Sequence, residues 1–179
     1  MLTRDNTGLI VVDIQGKLAN IVHDSEKLIA NTVALIKGAK ALNLPILWLE
    51  QNPEKLGTTI PEISNALTPL EPIAKYTFDG CGSKLFDNAL KQADVTKWLV
   101  CGIETHICVY QTVSGLIRLG YEIELVSDCV SSRVLSNKEL AISKLTAKGV
   151  GMTSVEMCLY ELVGDCRASE FREILKLIK

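Results

Sequence analysis

The 179-residue chain has little excess charge of either sign: 19 Lys and Arg stand against 21 Asp and Glu, for a formal net charge of −2. That balance offers none of the basic footprint that holds a phosphate backbone, so no nucleic-acid partner is expected. No apolar run approaches the roughly 20 residues that a membrane span requires, so no membrane partner is expected either. The opening MLTRDNTG lacks the apolar core of a secretory signal, which points to an intracellular, cytoplasmic protein. There are only two histidines, and the six cysteines form no C-x-x-C and no close Cys/His cluster. Nothing in that spacing suits a structural zinc site, so neither a metal nor another cofactor is expected. Disulfide frameworks staple small secreted domains that lack a core. This chain is 47% hydrophobic, and its cysteines read mostly as small buried hydrophobes in a reducing compartment. The phosphate-binding motifs G-x-x-x-x-G-K-[ST] and G-x-G-x-x-G are missing, as is the serine-hydrolase motif G-x-S-x-G.

What is present alternates. Gly8–Asp13 is a short β-branched run ending on an acid, apolar on both faces, as suits a strand covered by helices on both sides. Helical spacing follows over 25–42, with Leu28, Thr32, Leu35, Ile36, Ala39 and Leu42 on one face. Pro45 opens a second strand, Ile46–Leu49. From Gln51 to about Gly82 the pattern breaks, and four of the five prolines (53, 61, 69, 72) fall there. A long irregular stretch is expected, with one short strand near Ile73–Tyr76. A helix over 83–93 should bury Leu85, Phe86, Ala89 and Leu90. A third strand, 97–101, leads into a helix carrying Val109, Val113, Leu116, Ile117 and Leu119, which Gly120 ends. Tyr121–Val126 is the fourth strand. Ser136-x-x-Glu139 reads as a capping box for a helix that Gly149 stops. Val150–Met152 is the fifth strand, Thr153-x-x-Glu156 caps the next helical turn, and Phe171, Ile174, Leu175 and Ile178 mark the last helix.

Alternating strands and helices imply one domain, an α/β Rossmann-like three-layer α/β/α sandwich around a parallel sheet of five to six strands. The expected order of the five main strands is 2-1-3-4-5, with the 73–76 piece beyond strand 2. Ligands in such sheets bind beyond the carboxyl ends, where the order reverses, here between strands 1 and 3. Asp13 ends strand 1 and Thr105–Cys108 follows strand 3. Lys75 lies in the returning segment, with apolar Ile73, Ala74 and Tyr76 around it. Acid, amine and thiol can therefore meet in one crevice. With Thr105 as N-cap, Cys108 is the third helical residue, where the helix dipole and a nearby ammonium favour thiolate, the nucleophilic form. Asp13 beside a thiol is a proton acceptor and donor, and a buried lysine wants a carboxylate. His106, two residues from Cys108, does not face it on a helix; His23 and Cys81 are weaker choices.

Three stretches carry a family resemblance: Val11-Val12-Asp13-Ile14-Gln15, Lys75-Tyr76-Thr77-Phe78, and GIETHICVYQT from Gly102 to Thr112, with Ser127-Asp128-Cys129-Val130-Ser131-Ser132-Arg133 behind them. Together and in this order they resemble the isochorismatase-like cysteine hydrolases, and the short length and THICVYQT wording are similar to the YcaC-like and eukaryotic isochorismatase-domain branch. The resemblance implies Cys108 as nucleophile, Asp13 as general base and acid, and Lys75 as the cation that organises both. It implies a cis peptide at Ile103–Glu104, an oxyanion hole from the backbone N–H groups of Glu104 and Cys108, and Gln15 and Thr105 as substrate-binding positions. It also implies a homo-oligomer, and the apolar Leu56, Ile60, Ile63, Leu67, Leu70 and Ile73 of the irregular segment either cover the sheet edge or meet a second copy. Nicotinamidases of this superfamily carry a D-x-H metal motif after strand 2, where this chain reads Glu50-Gln51-Asn52-Pro53-Glu54. True isochorismatases lack the nucleophilic cysteine. The expected activity is metal-free hydrolysis of a small amide or related acyl substrate through a cysteine thioester. The alternative is a non-catalytic binding, assembly or redox-sensing protein that retains a reactive, low-pKa thiol.

Overall fold

Strand β1 (Thr7–Val12) is buried along its whole length. Its side chains leave alternate faces, so Leu9 and Val11 enter one hydrophobic cluster while Ile10 and Val12 enter another. In the computed structural model, which describes residues 1–179, five further strands flank it: β2 (Ile46–Gln51), β3 (Ile73–Lys75), β4 (Lys97–Ile103), β5 (Glu122–Ser131) and β6 (Gly151–Thr153). The order across the sheet is β3-β2-β1-β4-β5-β6, and every pairing is parallel. This is the expected 2-1-3-4-5 order with the short 73–75 strand on the outer side of β2. The reversal point lies between β1 and β4.

Nine helices complete the layers: α1 (Leu18–Ile21), α2 (Ser25–Ala41), α3 (Pro53–Leu56), α4 (Pro61–Leu67), α5 (Lys84–Gln92), α6 (Tyr110–Arg118), α7 (Leu135–Thr146), α8 (Val155–Val163) and α9 (Phe171–Ile178). On one face, α2, α4, α8 and α9 pack over a cluster of 27 buried residues that includes Leu35, Ile36, Ile63, Leu159 and Ile174. On the other, α5, α6 and α7 cover 17, among them Phe86, Trp98, Val113, Leu116 and Leu145. Each side chain of this size is worth about 1.5–3 kcal/mol when fully buried. The two layers therefore account for why the sheet reads as continuous apolar runs.

Several expectations are corrected. The 51–82 segment is not largely irregular, because its prolines start helices: Pro53 opens α3 and Pro61 opens α4, positions where a missing N–H costs nothing. Ile60, Ile63 and Leu67 are buried within the chain and cover its own core, whereas Leu56 and Leu70 stay exposed. Leu85 points to solvent, and α5 buries only Phe86 and Leu90 fully. Ser136 caps nothing, since α7 begins after Val134 with no side-chain cap. Before α8 the cap is Ser154, whose hydroxyl accepts from the Met157 N–H, and not Thr153.

One glycine is decisive for the site. Gly102 sits at φ +130°, and a Cβ built there would lie 2.0 Å from the Val12 carbonyl oxygen. Only a residue without a side chain lets the end of β4 close against the end of β1. The β4–β5 register shifts at the same point, between Val100 and Gly102.

Candidate active site

The ends of β1, β2, β3 and β4 deliver four side chains to the reversal point. Asp13 directly follows β1 at φ +52°, a left-handed conformation that Asp tolerates better than most residues. Its N–H donates to the Leu49 carbonyl at 3.2 Å. Lys75 ends β3 and pairs in register with Gln51 at the end of β2. Its ammonium is fully buried and uses all three donors: on Asp13 Oδ2 at 2.7 Å, on Gln51 Oε1 at 2.6 Å and on the Thr77 carbonyl at 3.3 Å. Gln51 carries no signal in the sequence, where it opens the irregular segment; the structure extends β2 to include it. Its own amide nitrogen donates to the Tyr76 carbonyl at 2.8 Å, which anchors the strand that presents Lys75.

Cys108 lies across the crevice, within interaction reach of the Asp13 carboxyl. It does not occupy the third position of an α-helix capped by Thr105. The chain after β4 first makes a π turn, Thr105–Val109, and α6 starts only at Tyr110. The wider turn is visible in the Val109 N–H donating to the Glu104 carbonyl five residues back. Thr105 Oγ1 is buried and caps nothing.

Nor is the resting group a thiolate. Burial pushes the Cys108 thiol up to about 12, the Asp13 carboxylate adds to the rise, and Lys75 only partly opposes it. Burial likewise raises Asp13 above its ordinary 3.8, against the pull of Lys75. Asp13 Oδ1 is buried and bonded to no nitrogen or oxygen donor. Asp13 therefore holds one oxygen without a donor beside the Cys108 thiol, placed to accept its proton.

A pocket of roughly 150 Å³ opens above this pair. Asp13 and Cys108 form its reactive end, and Leu18, Leu56, Phe78, Ile103 and Ile107 supply apolar wall. Gln15 also lines it, but its amide is committed to backbone: Oε1 accepts from the Gln51 N–H at 2.6 Å, and Nε2 donates to the Gly57 carbonyl at 2.6 Å. It ties the loop after β1 to the loop before α4. Thr105 is not part of the wall. The Ile103–Glu104 peptide is cis. The Glu104 carboxylate receives the Arg133 N–H at 3.1 Å and its guanidinium at 2.9 and 3.3 Å. Burial works to raise this acid, but the Arg133 bonds outweigh it and hold it below its usual value.

The other sequence candidates fall outside the pocket. His106 Nδ1 is 2.9 Å from Ser132 Oγ, His23 is near Asp24 at 3.6 Å on the surface, and the Cys81 N–H donates to Asp79 Oδ1. No three His, Cys, Asp or Glu side chains converge as a metal site requires, and no helix is long and apolar enough to cross a membrane.

The family model for the isochorismatase domain matches residues 7–157. The chain is 33% identical over 177 residues to the secreted isochorismatase effector Isc1 of Phytophthora sojae, across 96% of this chain and 83% of that one. A structure described as the MAR1 ribonuclease of Caenorhabditis elegans superposes with a TM-score of 0.93 at 32% identity, covering 99% of this chain and 91% of that one. The YcaC gene product of Escherichia coli, an octameric hydrolase of unknown specificity, gives 0.92 at 22% identity over 99% and 88% of the two chains. YcaC of Pseudomonas aeruginosa, solved with covalent acrylamide, gives 0.92 at 22% over 98% and 90%.

Proposed function

This chain is a hydrolase of the isochorismatase family, and within that family we propose that it is a cysteine hydrolase of small amides or related acyl compounds. The observation that carries the reading is the buried Asp13–Lys75 pair beside a neutral Cys108 thiol at the end of an apolar pocket. Asp13 Oδ1 takes the thiol proton as sulfur attacks the carbonyl carbon. The Glu104 and Cys108 N–H groups hold the oxyanion. The C–N bond then breaks, and the departing nitrogen takes the proton back from Asp13. Water, deprotonated by the same carboxylate, cleaves the thioester and releases acid and thiol. Lys75, bonded to Oδ2, opposes the rise that burial imposes on Asp13 and holds the carboxyl in place while Oδ1 takes and returns the proton. The covalent acrylamide in the P. aeruginosa YcaC supports an electrophile trap as the probe here.

RNA hydrolysis, named for the C. elegans neighbour, does not suit a pocket without a free cation in its wall. The reading includes a homo-oligomer, supported by the octameric E. coli neighbour, and a cytoplasmic location, supported by six unpaired thiols. The test is ammonia release across a panel of carboxamides, with mass spectrometry for an acyl adduct on Cys108. Turnover and adduct should both vanish in Cys108→Ala; turnover of undiminished rate in that variant would refute the nucleophile.

A further inference from the structure

Apart from Asp13, the polar side chains that line the pocket are already engaged by protein partners, and this decides what its occupant can carry. Lys75 is the cation nearest the reactive end, and its three donors all point at protein acceptors. Gln15 bonds backbone at both ends of its amide, and Gln51 is held by Lys75 and Tyr76. The Glu104 carboxylate is taken by Arg133. What remains open to a ligand is the Asp13 carboxyl, the Cys108 sulfur, the Glu104 and Cys108 backbone N–H groups that receive the reacting acyl oxygen, and apolar wall.

With the two backbone N–H groups taken by the acyl oxygen, an anionic substituent elsewhere in the pocket would lose its hydration, find no donor side chain to replace it, and lie near the Asp13 carboxyl. A neutral apolar substituent would lose nothing and bury its surface against Leu18, Phe78 and Ile107. A carboxamide or other neutral acyl group also offers the electrophilic carbon that the thiol needs, whereas a carboxylate does not.

We propose that the site selects uncharged acyl compounds with a short apolar substituent and excludes substrates that bear a carboxylate or phosphate. This rests on the hydrolase reading for its chemistry, but the selection itself is a property of the pocket and can be tested without turnover.

Two measurements on the wild-type protein at pH 7.5 do so. The first titrates isobutyramide and isobutyrate, near-isosteric and differing in charge, and follows binding by NMR. The amide should bind at least tenfold more tightly; equal or tighter binding of isobutyrate, or no binding of the amide, overturns the proposal. The second alkylates with iodoacetamide and iodoacetate in competition and reads each cysteine by peptide mass spectrometry. Cys166 is exposed and reports the intrinsic preference between the two reagents. The neutral-to-anionic ratio at Cys108 should exceed that at Cys166 by tenfold or more, and equal ratios overturn the proposal. Selective binding of isobutyramide together with an inert Cys108 and no ammonia release would sink the hydrolase reading while leaving the charge selection standing.

Discussion

Replacing Lys75 by Met should destabilise the protein by about 3–5 kcal/mol at neutral pH, the cost of stranding one member of a buried ion pair. Met follows the lysine stem closely, so lost packing contributes little. The loss lies in the head group. With Nζ gone, Asp13 Oδ2 loses its 2.7 Å partner and Gln51 Oε1 its 2.6 Å partner, and both belong to buried residues. Asp13→Leu strands the ammonium instead and should cost a similar amount. The double variant removes both charges, so it should recover most of the loss, with a coupling energy of about 2 kcal/mol or more. Urea unfolding of the four proteins closes the cycle. Single effects that add within about 0.5 kcal/mol would refute the view that the pair acts as one buried unit.

A pH series gives a second reading of the same pair. Burial raises Asp13 above its ordinary 3.8, and Lys75 opposes the rise, so Lys75→Met leaves burial unopposed and raises it further. A carboxyl whose folded pKa exceeds its unfolded one binds a proton more readily when folded. Its contribution is therefore fully present below 3.8 and is lost as pH climbs through the raised value. The Lys75→Met deficit should shrink towards acid pH and grow towards neutrality; a deficit that grows on acidification would contradict the assignment.

Three further outcomes follow from the geometry. The kcat/KM profile should rise with pH through the raised Asp13 value and then stay level into the alkaline range, because the thiol sits at about 12; an inflection near 8.5, where an ordinary cysteine ionises, would mean a pre-ionised nucleophile. Gly102→Ala, with its Cβ 2.0 Å from the Val12 oxygen at φ +130°, should cost more than about 2 kcal/mol, read as a fall of several degrees in Tm, and a variant as stable as the parent would show that the β1–β4 closure is not as tight as described. Light scattering at micromolar concentration should return a multiple of the chain mass, and a monomer mass would reject the homo-oligomer.

Strand order was legible before any coordinates because parallel sheets buried on both faces write themselves as short β-branched runs, and right-handed crossovers leave few ways to arrange them. The place of β3 beyond β2 and the reversal between β1 and β4 came from that reasoning alone. So did the nomination of Asp13, Lys75 and Cys108, each at or just past a strand end. Errors clustered where local pattern is ambiguous. Proline reads as a breaker but also starts helices, which hid α3 and α4. A Ser or Thr three residues before Glu reads as a cap box whether or not the chain turns there, which misplaced the starts of α7 and α8.

The alternation of elements, the layers they must form and the residue types available at the crevice follow from periodicities of two and 3.6 along one chain. Tertiary structure decided the protonation of the thiol, the π turn that presents it, the commitment of Gln15 and Gln51, and the Glu104–Arg133 clasp. Those properties depend on what is packed opposite a group and how far water is excluded from it. Asp13 meets Lys75 across 62 positions of sequence, and Glu104 meets Arg133 across 29; no local window contains both partners, and desolvation is a sum over all of them.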